Sequence, residues 1–340
     1  MRHLLNTLYV LTPHSELYCR NQTICASVGG DEKVSIPAMN IDSIVCFGVM
    51  SITTPFIDFC GKSGISITLL SEYGRFCGRF YGPITGSIYL RHKQHMLWED
   101  NEFRLAVGRN IIGAKLKNTA SVMMRAARES RESSPDALDD GIAIVNAQRQ
   151  LVREASSIDE LRGYEGVAAA AYFQRFGNVL RSDIGFSFEN RNKRPPKDAV
   201  NAALSFSYML LTKEYVSAIE CFGMDPGLGI VHGLRAGRPA LALDLMEELR
   251  APLCDRFVLS LFNRKQLQRN HFDERAGSTL LNEKGRKVLL SAWQLRKEET
   301  IIHPFIKENV KIGLIPFIQA QLFGRVLRGE LDEYPPFLWR

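Results

Sequence analysis

Residues 229–250 read GIVHGLRAGRPALALDLMEELR. One histidine, His232, stands in a glycine-rich turn ahead of a helical stretch whose acids Asp244, Glu247 and Glu248 recur at i, i+3 and i+4. At 100° per residue these acids share one side of a helix, and Ala242, Leu245, Met246 and Leu249 share the other. The plainest reading is an amphipathic helix with a solvated acidic side, its acids paired with Arg235 and Arg238. The chemical reading is a cation site. Several carboxylates and one imidazole suit a hard divalent ion, Mg²⁺ or Mn²⁺ over Zn²⁺, and neighbouring arginines suit phosphates. Pro239 fits a first helical position, so Arg238 and His232 fall just ahead of the helix start. The glycines let the histidine double back toward the first turns. No H-E-x-x-H pattern points to a zinc protease.

Two further stretches carry groups of the same kind. RGYEGVAAAAYFQRF, residues 162–176, sets Glu165 directly before a run of alanines. Small side chains allow another backbone to approach closely, and a carboxylate in such packing is costly unless its charge is compensated. ENRNKRPPKDAVNAALSFSYMLL, residues 189–211, opens with Arg191, Lys193, Arg194 and Lys197 within seven residues. Pro195 and Pro196 stiffen that basic loop, and a helix with Asn201 on its early turns follows.

The elements that must hold these groups divide the chain in two. Up to residue 88 the texture is strand-like: TICASV, KVSIP, SIVCFGV, ISITLL and GRFCGRFYG are rich in β-branched and aromatic residues between turn residues. One helix interrupts them, with Thr54 as N-cap, Pro55 in the first turn and Gly61 or Gly64 as the stop. From 91 onward come amphipathic segments at 92–128, 140–157, 158–178, 197–222, 238–250, 252–264 and 301–326, with ESRESSPDALDD as an exposed loop. The expected fold is α+β, a small β-rich domain over 1–88 followed by a larger all-α catalytic domain over 89–340.

Charge sorts the same way. Residues 1–90 hold six basic and six acidic side chains, so the whole net charge of +6 lies beyond them. A basic excess favours polyanionic partners. Seven scattered cysteines without a C-x-x-C pair argue against a disulfide framework or zinc ribbon and fit a reducing, cytoplasmic setting. No apolar run approaches the roughly 18 residues of a membrane span. The start MRHLLNTLYVLT is broken by Asn6 and Thr7 and reads as a buried first strand, not a signal peptide.

RNKRPPKDAVNAALSFSYMLL followed by MDPGLGIVHGLRAGRPALALDLMEELR resembles the CRISPR-associated integrase family, the "Cas one" proteins that acquire new spacers, with the subtype I-C branch nearest in look. The resemblance extends over nearly the whole chain and includes GYEG. It implies a divalent metal held by a Glu, a His and an acid: Glu165 of GYEG, His232 of GIVHGLR, and one acid of LDLMEE. Spacing favours Glu247 as the direct ligand, Asp244 as a second acid lining the site, and Glu248 in an outer or structural role. His232 serves as ligand or as proton shuttle. The basic loop 191–197 with Arg235 and Arg238 then holds DNA backbone phosphates, contacts that position without reading sequence. The family implies a homodimer, assembly with a small partner ("Cas two"), and joining of short duplex DNA to a CRISPR array through 3′-hydroxyl transesterification. Two rival readings are a nuclease that only hydrolyses and a non-catalytic DNA-binding scaffold.

Overall fold

The computed structural model describes residues 7–41, 43–72, 76–80, 82, 88–129, 136–193, 195–275 and 277–339. Its first elements are β1 (Thr7–Val10), β2 (Ser15–Arg20), β3 (Thr23–Val28), β4 (Asp31–Pro37), β5 (Ser43–Phe47), β6 (Met50–Ile52), helix α1 (Thr54–Lys62), β7 (Ser66–Leu70) and β8 (Phe76–Phe80). They form two four-stranded sheets ordered β1-β5-β7-β8 and β4-β3-β2-β6. In the first, β1, β5 and β7 run parallel and β8 adds an antiparallel edge. In the second, β3 is antiparallel to both neighbours and β2 is parallel to β6. Inward residues Leu17, Ile24, Ile44 and Ile67 meet Phe56 and Cys60 of α1 in one apolar core. β5 also buries Val45 and Phe47, so both of its faces are covered, as central parallel strands require.

Helix α1 shows how local sequence sets an element. Pro55 lies in its first turn, and the chain leaves it through Gly64 at φ 70°, where the Ile65 N–H donates to the Cys60 carbonyl at 2.8 Å. The cap residue is Thr53, one before the expected Thr54, and its side chain makes no capping bond.

From Ile88 the described chain is mainly helical: α2 (Ile88–Glu99), α3 (Asn101–Glu129), α4 (Asp136–Glu154), α5 (Ile158–Phe176), α6 (Ala199–Cys221), α7 (Ala240–Leu245), α8 (Glu247–Leu249), a π-helical turn (Arg250–Asp255) and α9 (Arg256–Asn263). A hairpin of β9 (Phe272–Arg275) and β10 (Ser278–Leu281) precedes α10 (Glu283–Glu298). A second hairpin, β11 (Thr300–Ile302) and β12 (Asn309–Lys311), precedes α11 (Ile315–Leu327). Two hairpins therefore interrupt a region expected to be all helix.

The expected helix 92–128 is two helices, because the Asp100 carboxylate accepts the N–H groups of Glu102 and Phe103 at 2.9 and 3.1 Å and caps a new start. The expected helix 301–326 begins only at Ile315. Helix α10 was not expected, since its buried stripe of Arg286, Leu289, Leu290, Trp293 and Lys297 contains two basic residues that mask the apolar period. Half of ESRESSPDALDD, residues 130–135, lies outside the described residues, and α4 already begins at Asp136. Among the described residues no helix is long and apolar enough to cross a membrane, and no disulfide forms.

The chain packs as two units. One comprises Met1–Thr85, Leu281–Glu299 and Lys311–Leu314; the other comprises Gly86–Leu280, Thr300–Val310 and Ile315–Arg340. The expected single cut after residue 88 thus misses the return of α10 to the first unit. In the second unit α6 is buried around its whole circumference, the pattern of a central helix. It packs against α7, the π-turn, α9 and α11. Helix α3, with 29 residues, spans about 44 Å at 1.5 Å per residue and lies along α4, α5 and α8.

Two glycines at α5 separate packing from propensity. A Cβ at Gly177 would stand 2.4 Å from the Phe188 carbonyl oxygen, whereas one at Gly163 meets nothing within 4 Å. Gly177→Ala is expected to lose about 1–3 kcal/mol in urea unfolding, and Gly163→Ala to gain about 0.5–1 kcal/mol. Equal effects at the two positions would contradict this packing.

Candidate active site

Between α6 and α7 the chain runs from Phe222 to Pro239 without helix or strand, and both of its polar edges are held. Its carbonyls are taken by side chains of α2, α3 and α5. Arg91 Nε donates to Gly223 O at 3.2 Å, Gln94 Nε2 to Asp225 O at 2.9 Å, and Trp98 Nε1 to Gly229 O at 2.8 Å. Arg104 donates to Ile230 O at 3.2 Å and Arg162 Nε to Val231 O at 2.8 Å. The N–H groups of Ile230, Val231 and His232 turn the other way, onto the Asp244 carboxylate at 2.5, 3.1 and 3.0 Å. His232 Nδ1 lies 2.5 Å from Asp244 Oδ1. Asp244 is fully buried, so these donors replace its water shell. With Nδ1 held there, Nε2 lies on the ring edge away from Asp244. Only glycine fits at 229, where a Cβ would sit 2.5 Å from His232 O and 2.6 Å from Ala240 Cβ.

Glu247 enters from α8 and Glu165 from α5, and Lys115 of α3 stands between them. Its ammonium is 2.7 Å from Glu247 Oε2 and pairs with Glu165 Oε1, while Arg250 lies 3.0 Å from Glu247 Oε1. Burial alone pushes the Glu247 carboxyl up, but Arg250, Lys115 and His232 outweigh it and bring it down to about 2. Lys115 is pulled down by burial and carried above the usual lysine range by Glu247 and Glu165.

Glu165, His232 and Glu247 line one cavity of about 490 Å³, with Arg162 and Arg238 beside them and Ile112 and Val231 as apolar walls. The donors suit a hard divalent cation: two carboxylates and an imidazole nitrogen. Among the described residues no three His, Cys, Asp or Glu side chains are close enough as they stand to enclose an ion. Lys115 is what separates the two carboxylates here.

The family described as "CRISPR associated protein Cas1" matches residues 8–295. "CRISPR-associated endonuclease Cas1 1" of Moorella thermoacetica is 42% identical over 348 residues, covering 100% of both chains. This chain belongs to the Cas1 family. A solved CAS1 protein from Thermotoga maritima superposes with a TM-score of 0.81 at 26% identity, covering 95% of this chain and 97% of that one. The fold is also shared with a casposase bound to integration product (TM-score 0.84, 19% identity, 98% and 94% covered). A chain of a Cas6-RT-Cas1–Cas2 complex shares it as well (TM-score 0.83, 20% identity, 99% and 36% covered).

Within this Cas1-family chain the three acids of LDLMEE do not share a solvated side. All three are buried. Helix α7 ends at Leu245, α8 is one turn, and the chain then widens into the π-turn that contains Pro252. Asp244 therefore stands behind His232 and is absent from the cavity lining, a correction to its expected place as a second acid of the site. Glu247 faces the cavity, and Glu248 faces Gln319 and Tyr334.

The basic residues separate too. Arg191 turns inward, donating to Asn201 Oδ1 at 2.7 Å and Ser205 Oγ at 3.0 Å, with its guanidinium 5.4 Å from the Tyr208 ring centre. It braces its loop against α6, unlike the exposed phosphate contact expected from its place in a charge run. Lys193 and Lys197 are exposed, as is Arg235, and Arg238 lines the cavity. Although Lys193 is exposed as a residue, desolvation where it approaches the neighbouring Arg250 and Arg191, together with their charges, holds its ammonium below the usual range. Arg194 lies outside the described residues. Lys115, Arg162 and Arg250 were not singled out in the sequence. The available signal was Lys115 breaking an otherwise apolar stripe with Ile111, Ile112 and Leu116.

Asp244→Asn replaces a four-donor acceptor with an amide that presents its own N–H groups to those donors. The expected cost is about 3–5 kcal/mol in chemical denaturation, together with loss of the fixed Nδ1–H tautomer of His232 in ¹H–¹⁵N spectra. An unchanged tautomer would show that the loop alone orients the ring.

Proposed function

We propose that this chain is a divalent-metal-dependent DNA endonuclease and integrase that joins short duplexes to a CRISPR array by 3′-hydroxyl attack on a phosphodiester. The observation that carries this reading is the arrival of Glu165, His232 and Glu247 from three separate elements at one cavity flanked by arginines. Mg²⁺ or Mn²⁺ held by these three would supply positive charge to the phosphate and the attacking hydroxyl. The chain's own residues do the rest. Asp244 keeps the His232 ring oriented, with Nε2 available as ligand or for proton transfer. Arg162 and Arg238 place positive charge on the cavity wall for phosphate oxygens. Lys193, Lys197 and Arg235, with Arg194 of the same loop, track the DNA backbone. The endonuclease name of the relative supports cutting, and the casposase bound to integration product supports joining.

The same reading includes a cytoplasmic homodimer working with a Cas2-type partner. The Cas1–Cas2 complex among the structural neighbours supports that partner. The antiparallel edge strand β8 offers a strand for two-fold pairing.

Glu165→Ala, His232→Ala and Glu247→Ala are each expected to lower Mn²⁺-dependent cleavage and joining by about 100-fold or more. A supercoiled array plasmid with a labelled short duplex separates outcomes: joined label marks integration, and nicks without label mark hydrolysis only. A protein that binds no Mn²⁺ would instead be a scaffold.

The basic surface has its own test. Alanine at Lys193, Lys197 and Arg235 should weaken duplex binding alike across sequences, and the logarithmic salt slope should flatten by about 0.9 for each phosphate no longer neutralised. Arg191→Ala should instead lower the melting temperature, because its bonds are internal. An unchanged salt slope in the triple variant would mean that these side chains face only solvent.

A further inference from the structure

Glu247 and Glu248 are consecutive in a three-residue helix, yet the second carboxylate faces surroundings built by the C-terminal segment. Glu248 is fully buried. Its Oε1 accepts the Tyr334 hydroxyl, and its Oε2 accepts the Phe337 N–H and, at 3.0 Å, Gln319 Nε2 of α11. Gln319 Nε2 also reaches the Tyr334 hydroxyl oxygen at 2.8 Å, and Gln319 Oε1 lies 3.1 Å from His303 Nε2.

Asn118 of α3 closes the network from the other side. Its Nδ2 donates to the carbonyls of Glu248 at 2.7 Å and Phe337 at 2.8 Å, and its Oδ1 accepts the Trp339 N–H at 2.9 Å. Asn110, farther up α3, donates to the Tyr334 carbonyl at 3.1 Å. Tyr334 and Phe337 are themselves buried, so the segment is seated by apolar packing as well.

We propose that residues 334–339 form a latch that sets the position of Glu247, with Glu248 and Tyr334 as positioning residues for the reaction in the cavity. The proposal rests on the metal-dependent reading above. Backbone bonds from the Met246 N–H to the Ala242 carbonyl at 3.1 Å and from the Leu249 N–H to the Met246 carbonyl at 3.0 Å join α8 to α7. A three-residue helix between a turn at Met246 and the π-turn nevertheless has few such bonds to fix its rotation. Further constraints come from outside the segment. Lys115 holds the Glu247 side chain, and Asn118, one turn along the same helix, holds the Glu248 carbonyl. The tail's grip on Glu248 supplies the opposing constraint, and turning α8 would move both carboxylates together. Buried polar networks of this kind act as units, so losing one member loosens the rest.

The test uses the full chain and the variants Tyr334→Phe, Glu248→Ala and Glu248→Gln. Mn²⁺ binding is read by electron paramagnetic resonance, and plasmid nicking is read against Mn²⁺ concentration. Tyr334→Phe and Glu248→Ala should raise both the dissociation constant and the half-saturating Mn²⁺ about tenfold or more, with nicking at saturating Mn²⁺ retained. Glu248→Gln should restore near-normal values, since its carbonyl still accepts from Phe337 and Gln319 while the Tyr334 bond reverses direction. Val145→Ala, in the buried face of α4, serves as a control for lost stability and should leave Mn²⁺ dependence unchanged. An unshifted Mn²⁺ dependence in Tyr334→Phe, or the same shift in Val145→Ala, overturns the latch. If the unaltered protein shows no Mn²⁺-dependent nicking, the underlying reading fails instead, and the latch with it.

Discussion

A buried carboxylate with four donors organises the helical unit's chemistry. Asp244 takes three consecutive backbone N–H groups and the His232 ring, and this convergence turns an irregular loop into a rigid support. The loop's opposite edge is held by side chains from α2, α3 and α5. A segment with no helix or strand can therefore present an imidazole with a defined orientation. Its backbone polar groups find partners that regular secondary structure would otherwise supply. Gly229 is part of the same constraint, because only a residue without a Cβ lets the loop close onto α7.

Charge compensation shapes the rest of the site. Glu247 and Glu165 share Lys115, Glu247 also meets Arg250, and Arg250 and Arg191 stack over Tyr208 from 5.3 and 5.4 Å. Tyr208 and Tyr172 both donate to Asp255, whose carboxyl burial raises to about 6. Isolated charges in such packing would cost several kcal/mol each, so the basic and acidic residues must come in matched sets. Glu247 is matched on both oxygens, Oε2 by Lys115 at 2.7 Å and Oε1 by Arg250 at 3.0 Å.

The acids of LDLMEE divide among three neighbours. A continuous α-helix from 238 to 250 would hold Asp244, Glu247 and Glu248 within about 100° of one another. The backbone stays helical through Met246, and the three carboxylates meet three different neighbours: the His232 loop, the cavity and the C-terminal segment. One short stretch thereby connects a support, a site and an anchor.

Much of this was legible in residue types. Strands with alternating burial, helix stops at glycine, and the shift from short strands to long helices follow from local preferences that act within a few residues. Residue types alone left the acids beside His232 open between a solvated helix side and a cation site, and grouping Glu165 with His232 and Glu247 came from the family resemblance of the motifs around them. Sequence by itself could not decide direction. Periodicity gave three acids one side and could not register which neighbour each of them would meet. A run of basic residues looks uniformly solvated, yet Asn201 and Ser205 draw Arg191 inward from a helix that begins eight residues later. Lys115 lies 50 residues from Glu165 in the chain. Tertiary packing alone brings that ammonium between the two carboxylates, because the cost of burying them is met by whichever opposite charge the neighbouring helix presents.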